Sequence, residues 1–124
     1  MGEPVDIYYK WVYNNYNNIK ETIAMAKVEL HVYPPLSYKM SSKRVWPFIL
    51  EEEIDQGETL GDLLARLANS NHKAWEQIFD AQNYRTQPII TTILNGTVLS
   101  FSEAPQAQLS DGDQIAFRVT YGGG

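Results

Sequence analysis

The sequence predicts an α+β fold in which a mixed β-sheet wraps around one main helix. Three patterns lead to this prediction. Residues 27–33 alternate between polar and apolar side chains, as a half-buried strand does. Residues 59–67 carry leucines at the spacing of one helix face. Residues 89–99 place Asn95-Gly96, a strong hairpin signal, between two runs of strand-forming residues.

The N-terminal segment, residues 1–26, is assigned as an extension because its composition differs from that of the rest. It is rich in Tyr and Asn, and five apolar residues at helical spacing predict a helix: Tyr8, Val12, Tyr16, Ile19 and Ile23. Two interpretations stay open. The helix is either a docking or dimerisation element, or an extra helix that covers part of the core.

The first two strands are predicted at residues 27–33 and 45–50. Pro34-Pro35 ends the first strand, and a polar loop over residues 37–43 leads to the second. Pro47 cannot donate a ladder hydrogen bond, so the second strand is expected at a sheet edge or at a bulge. The two strands should pair as a hairpin with a long connection.

The main helix is predicted from a capping signal followed by a leucine face. Thr59 and Asp62 resemble a capping box, with Asp in place of Glu. The face that packs on the sheet consists of Leu60, Leu63, Leu64 and Leu67. After a break at residues 69–71, a second short helix is predicted, with an apolar face formed by Trp75, Ile78 and Phe79.

Three further strands are predicted at residues 89–94, 97–99 and 115–121, with a turn at Asp111-Gly112-Asp113 before the last. A helix between a first hairpin and later strands is typical of the β-grasp, or ubiquitin-like, fold. In that fold the first and last strands are central and parallel. Residues 27–124 are therefore expected to form one domain, and its last strand runs into Gly122, Gly123 and Gly124.

Composition excludes several classes of function. The 124 residues contain no cysteine, so disulfides, thiolate nucleophiles and Cys-based metal sites are excluded. The net charge of −5 argues against nucleic-acid binding and is compatible with a basic partner. No window resembles a transmembrane helix, and the N-terminus lacks a signal-peptide pattern. We therefore expect a cytoplasmic protein that binds neither nucleic acid nor membrane.

The body of the chain shows no recognisable catalytic or metal site. His31 and His72 lie far apart in the sequence and are interpreted as solvated side chains. Residues 51–53, three glutamates, are interpreted as a solvated strand end rather than a metal site. Trp46 and Trp75 are interpreted as core residues. We therefore expect no resident metal or cofactor, and a protein that is not itself an enzyme.

The final glycines are the one chemically unusual feature. Glycine has no Cβ, so a tail of Gly122, Gly123 and Gly124 can enter a narrow tunnel and lie against another backbone. A carboxylate is a poor electrophile and needs activation, most simply as an acyl-adenylate made from ATP by another enzyme. A sulfur nucleophile then gives a thiocarboxylate, and an amine gives an isopeptide bond. Neither fate needs a catalytic residue on this chain.

Four segments, in order, resemble the MoaD/ThiS sulfur carriers: residues 59–67 (TLGDLLARL), 94–96 (LNG), 109–117 (LSDGDQIAF) and the final Gly-Gly. The resemblance implies a β-grasp fold, a partner adenylating enzyme of the ubiquitin-activating type that uses ATP, and a sulfur donor. It implies that Gly124 bears the adenylate and then the thiocarboxylate, with Gly122 and Gly123 as the threading arm. The tail has three glycines where the family usually has two, so Gly123 is an alternative working end.

The longer insert at residues 72–85 is similar to the molybdopterin branch of the family rather than to the shorter thiamine carriers. That branch implies the large subunit of molybdopterin synthase as a further partner. Candidate partner contacts on the last strand are Phe117, Val119 and Tyr121, although half of that strand should face the core. Two alternatives stay open: a ubiquitin-like modifier joined to target lysines, and a β-grasp interaction module with an inert tail.

Overall fold

The structure, a computed structural model, describes residues 26–41, 47–70 and 73–120. The predicted helix of the N-terminal extension lies outside these ranges. The described strands and α-helices follow in the order β1 (Ala26–Val32), α1 (Ser37–Met40), β2 (Phe48–Ile54), α2 (Leu60–Ala68), β3 (Phe79–Asp80), β4 (Arg85–Thr86), β5 (Ile90–Leu94), β6 (Thr97–Leu99) and β7 (Gln114–Val119). Two 3₁₀ helices span Lys73–Gln77 and Ala104–Gln106.

Five strands form one mixed sheet in the order β2-β1-β7-β5-β6. The central strands β1 and β7 are parallel, whereas β1 pairs with β2, and β5 with β6 and β7, in antiparallel fashion. The predicted first hairpin and the edge position of the second strand are therefore confirmed. The parallel central pair is characteristic of the β-grasp topology. Two parallel neighbouring strands need a crossover connection, and α2 lies in that connection.

One face of the sheet, which we call the inner face, shares a core with α2. Val28, Leu30 and Val32 of β1 and Ile115 and Phe117 of β7 are fully or almost fully buried there. All four leucines of the predicted helix face belong to the same core. The predicted α2 is confirmed, because its leucine face is buried as a unit and the helix ends at Ala68.

The start of α2 is held by a capping box and by a tyrosine from the following insert. The Asp62 N–H donates to Thr59 Oγ1 at 3.1 Å, and the Thr59 N–H donates to the Asp62 carboxylate. The Tyr84 hydroxyl donates to Asp62 Oδ1 at 2.8 Å and lies 2.7 Å from Thr59 Oγ1. Gly61 makes room for this ring, since a Cβ there would lie 2.5 Å from Tyr84 Cζ.

The connection between the first two strands differs from its prediction. The segment expected as a polar loop over residues 37–43 contains α1, whose Ser41 N–H donates to the carbonyl of Ser37. The second strand spans Phe48–Ile54, so it continues past the predicted end at residue 50. Pro47, directly before this span, has no N–H to donate to a ladder. Trp46 lies outside the described residues.

The second short helix predicted after the break at residues 69–71 is a single 3₁₀ helix, and its apolar residues 78 and 79 lie beyond it. A 3₁₀ helix spans Lys73–Gln77, and the chain then forms the small antiparallel pair β3 and β4. Asp80 Oδ1 accepts the N–H groups of Gln82 and Asn83, which makes a turn that competes with a helix. The predicted apolar residues Trp75, Ile78 and Phe79 are nonetheless buried.

The predicted turns are confirmed by their backbone angles. Asn95 and Gly96 have φ values of 48° and 84°, the left-handed pair that a two-residue hairpin between β5 and β6 requires. Gly112, with φ 84°, turns the chain into β7. Among the helices in the described ranges, none has the length and apolar character needed to cross a membrane.

Candidate functional site

Strand β7 carries the chain toward its C-terminal residues from the centre of the sheet. The last described residue is Thr120, directly after β7. We call the residues that hold this end of β7 the tail root: Tyr33, Ile89, Thr91, Arg118 and Thr120. The tail root is the candidate site because it fixes the end of β7, the last described part of the chain before the final glycines.

Backbone hydrogen bonds hold the tail root on both sides. On one side, the Thr120 N–H donates to the Ile89 carbonyl at 2.6 Å, one step beyond the β5–β7 ladder that ends at Ile90 and Val119. The hydroxyls of Thr91 and Thr120 are hydrogen bonded to each other. On the other side, the Tyr33 N–H donates to the Phe117 carbonyl at 3.1 Å. The chain is therefore ordered by sheet contacts up to Thr120.

A cation lies on the exposed side of the tail root. The Arg118 guanidinium carbon is 4.5 Å from the centre of the Tyr33 ring. Arginine over a tyrosine face is attracted by the negative potential of the ring, which also restricts its orientation. Parallel pairing of β1 and β7 brings these side chains together, because Val32 is the register partner of Phe117. An acidic chain thus presents a fixed positive charge beside the point where its tail begins.

The candidate residues on the last strand fall in different places. Phe117 is completely buried and packs edge to face on Trp75, with ring centres 6.2 Å apart. Its side chain is therefore not part of the surface, because the inner positions of β7 face α2. Val119 is half-buried against the core. Tyr121, Gly122, Gly123 and Gly124 lie outside the described residues, so their predicted roles stay predictions.

The histidine and glutamate predictions have mixed outcomes. His31 is half-buried rather than solvated, and its Nε2 lies 3.2 Å from Glu29 Oε1. Residues 51–53 lie within β2 rather than at its end. Glu52 lies 3.4 Å from Arg66, which also contacts Glu58 at 3.2 Å. His72 lies outside the described residues. Over the described part of the chain, no three His, Asp or Glu side chains cluster as a metal site.

Shifted pKa values occur at the start of α2 and in two turns. The hydrogen bond from Tyr84 is the main reason that the pKa of Asp62 lies below its ordinary value. Burial raises the pKa of the Tyr84 hydroxyl. The hydrogen bond from Asn83 lowers the pKa of Asp80, and Ser100 does the same for Glu103. These shifts stabilise local structure and do not create an acid–base pair.

Sequence reasoning missed Tyr33, Ile89, Thr91 and Arg118 as residues that surround the end of β7. The signal was present in the predicted topology. If the first and last strands are parallel neighbours, they end at the same edge of the sheet. Tyr33, directly after the first strand, must then lie beside Arg118, an outward residue near the end of the last strand. Ile89 and Thr91 follow in the same way from an antiparallel strand on the other side.

Comparison with known proteins identifies the family. The model of the ThiS family matches residues 47–124, which is more than half of the chain. The chain belongs to the ThiS family. The match covers β2, α2, the insert, β5 to β7 and the final glycines, and it confirms the resemblance noted in the sequence. No curated protein matches the chain by sequence.

Solved structures of ThiS-like and ubiquitin-like proteins share the fold. Small archaeal modifier protein 1 from Haloferax volcanii has 21% identity and a TM-score of 0.58, over 77% of this chain and 99% of its own. The Methanosarcina acetivorans protein of that name has 20% identity and a TM-score of 0.57, over 80% and 97%. A Pyrococcus furiosus protein assigned as molybdopterin converting factor, subunit 1, has 18% identity and a TM-score of 0.53, over 77% and 99%.

These similarities confirm the β-grasp prediction. The ThiS-family chain has the fold shared by sulfur carriers and small ubiquitin-like modifiers. Each neighbour is matched over almost its whole length, so the domain described above is the unit that they have in common. At about one residue in five identical, the structural neighbours support the fold and not a particular substrate or partner.

Proposed function

We propose that this protein is a sulfur carrier whose C-terminal glycine carboxylate is activated by a partner enzyme and converted to a thiocarboxylate. Membership of the ThiS family is the observation that carries this proposal. The tail root supports it, because a reactive end must be presented from a fixed position. The domain would act as a handle, and the chemistry would be supplied by the adenylating partner and by a sulfur donor.

The proposed reaction has two steps. The carboxylate of Gly124, or of Gly123 if the chain is trimmed, attacks the α-phosphate of ATP on the partner, and pyrophosphate leaves. Hydrosulfide supplied by the donor then attacks the acyl carbon and loses its proton, and AMP leaves with the bonding electron pair. The product is a thiocarboxylate in which one sulfur replaces one oxygen. ATP is a substrate of the partner and not a cofactor of this chain.

Glycine suits each step for a physical reason. Four residues separate Thr120 from the terminal carboxylate of Gly124, so the arm reaches at most about 14 Å when extended. The last three residues have no Cβ, so they can pass through a narrow channel in the partner. Ordering them costs about 1–2 kcal/mol per residue. Binding by the folded domain must offset that cost, which is why an ordered tail root matters.

Within this function we propose delivery of the sulfur to molybdopterin synthesis, with the synthase large subunit as the receiving partner. The length of the insert at residues 72–85 supports the molybdopterin branch over the thiamine branch. The Pyrococcus furiosus neighbour assigned as molybdopterin converting factor, subunit 1, has the same fold. The test is whether the purified large subunit of molybdopterin synthase accepts sulfur from this protein once it carries the thiocarboxylate.

Intact-mass spectrometry tests the carrier function. The protein is incubated with its adenylating enzyme, ATP and a sulfur donor, and the mass should rise by the difference between sulfur and oxygen. Since the chain has no cysteine, a thiol-alkylating reagent should label only the thiocarboxylate. A variant lacking Gly123 and Gly124 and a reaction without ATP are the controls. No mass change with a demonstrably active enzyme contradicts the proposal and favours an inert tail.

A ubiquitin-like modifier is the second candidate, favoured by two structural neighbours named small archaeal modifier protein 1. Here the lysine amine of a target attacks the acyl-adenylate, AMP leaves and an isopeptide bond forms. The same incubation with cell extract distinguishes the two functions. Conjugates of higher mass that resist reducing agent and depend on the glycines indicate a modifier, whereas a thiocarboxylate without conjugates indicates a carrier.

A further inference from the structure

The outer face of the sheet, opposite α2, carries an apolar row that crosses all five strands. Register partners connect Ile49 to His31, His31 to Ala116, Ala116 to Ile93, and Ile93 to Val98. We call these five residues the outer row. They alternate with inner residues such as Leu30 and Phe117, so they point away from the core.

The two ends of the outer row are exposed. The exposed fraction is 49% for Ile49 and 64% for Val98, while the three central residues are half-buried. A lone exposed apolar side chain is ordinary, but five positions in register with four apolar members form a continuous surface. His31 is the one polar member, and Glu29 holds its ring at 3.2 Å. Such a surface is suited to a covering segment.

We propose that residues 1–25 of the N-terminal segment cover the middle of the outer row with an apolar stripe, which consists of Tyr8, Val12, Tyr16, Ile19 and Ile23. The stripe is the helical pattern found in the sequence. A helix with one apolar face needs a surface to bury it. This inference concerns the surface of the domain and is independent of the chemistry of the tail.

The point of attachment restricts where the segment can pack. It joins β1 at Ala26, and only residues 24 and 25 separate Ile23 from that strand. A connection of two residues places a helix against the sheet beside the strand that follows it. The inner face is already covered by α2, whose leucines are buried there. The outer face is the face of the sheet that α2 leaves open.

The dimensions also agree. From Tyr8 to Ile23 the stripe is about 22 Å long as a helix. Strand β1 has seven residues, a length of about 23 Å for an extended chain. A helix that runs back along β1 passes over the outward side chains of Lys27, Glu29 and His31, and it meets the outer row at His31 and Ala116. Its stripe would then lie on the middle of the outer row.

A single introduced thiol tests the cover, because the chain has no cysteine of its own. Ile49→Cys is placed in the full chain with the natural segment and, separately, with Val12→Asp, Tyr16→Asp and Ile19→Asp. The matched control adds the same three charges off the stripe, as Asn14→Asp, Asn17→Asp and Asn18→Asp. We expect alkylation to be about tenfold slower with the natural segment than with the stripe triple, and equally slow with the control triple. A factor of ten corresponds to about 1.4 kcal/mol of free energy that favours the covered state.

Phe101→Cys is the matched control for position. Phe101 is 47% exposed, close to Ile49, but lies in the turn after β6 and not in the outer row. Its alkylation rate should be the same in all three backgrounds. Equal rates for Ile49→Cys in every background overturn the proposal. Protection that increases with protein concentration also overturns it, since a second copy would then cover the row.

A second measurement leaves the segment unchanged. A nitroxide attached at Ile49→Cys should broaden the amide signals of residues 8–23 in the NMR spectrum of the dilute full chain. The same label at Phe101→Cys should leave those signals sharp. If neither label affects the segment, it does not lie on the outer face and the proposal is wrong.

Discussion

Replacing Gly61 by alanine should destabilise the domain, although alanine is the better helix former. In an open helix position this change contributes up to about 1 kcal/mol of stability. Here the added Cβ would lie 2.5 Å from Tyr84 Cζ, 2.6 Å from its hydroxyl oxygen and 2.7 Å from the Pro105 carbonyl oxygen. Ordinary contacts between carbon atoms begin at about 3.5 Å, so the neighbours must move.

The magnitude follows from what must move. If the Tyr84 ring swings away, it loses its hydrogen bonds to Asp62 and Thr59. For partly exposed groups we take this loss as about 2 kcal/mol. The Pro105 carbonyl belongs to the backbone, and displacing it adds about 1–2 kcal/mol of overpacking. After the gain in helix propensity, the net loss is about 2–3 kcal/mol.

Urea unfolding followed by circular dichroism measures this loss as a shift of the midpoint at constant slope. The melting temperature should fall by about 8–12 °C for a domain of this size. The partner variant Tyr84→Ala separates the two causes. In its background Gly61→Ala meets only the Pro105 carbonyl, so the penalty of Gly61→Ala should fall to about 1 kcal/mol or less.

Two results would refute the reasoning. If Gly61→Ala is as stable as the parent protein, the close approach of Tyr84 does not constrain residue 61. If the penalty is the same with and without the Tyr84 ring, the helix start is limited by the Pro105 backbone alone. In either case the tyrosine would not be the element that joins the insert to α2.

Three further predictions concern charge and turns. Because the pKa of Asp62 is lowered in the folded state, it contributes stability that is present above its ordinary pKa and is lost as the pH falls through the folded value. Unfolding free energy measured from about pH 5 to pH 2 should therefore decline less steeply in Asp62→Asn. Arg118→Ala should reduce stability by about 0.5–1 kcal/mol and raise the KM for activation by the adenylating enzyme severalfold at unchanged kcat, whereas an unchanged KM would exclude a docking role. Gly96→Ala, at φ 84°, should lower the unfolding free energy by about 1–2 kcal/mol in urea titrations.

Much of the fold could be predicted because its signals are local. The alternation in β1, the leucine face of α2 and the Asn95-Gly96 turn each fit within a dozen residues, and each is confirmed. The insert could not be predicted in the same way. Its apolar residues at 75, 78 and 79 have helical spacing, but the Asp80 side chain binds two backbone N–H groups and Tyr84 has φ 53°. Side-chain competition of this kind does not alter hydrophobic periodicity.

The site was harder to predict than the fold, because its contacts are not local. Tyr33 and Arg118 lie at opposite ends of the domain sequence and meet only through the parallel pairing of β1 and β7. The inward orientation of Phe117 depends on the same register. A shift by one residue would have exposed Phe117 and buried Arg118. The sequence pattern predicts that the strand has two alternating faces. The register of β7 in the sheet determines which of these faces packs against α2.

The position of the last sheet contact limits what a partner must provide. Thr120 is held by Ile89 and Thr91, so bending at the exit would require breaking those bonds as well as the end of the β5–β7 ladder. The residues from 121 to 124 then set a reach of about 14 Å. Under the proposed function, the partner that activates Gly124 must bring its reactive centre within that distance of the end of β7. The Arg118 guanidinium lies beside the end of β7, where it can contribute to docking of the proposed partner without taking part in the reaction.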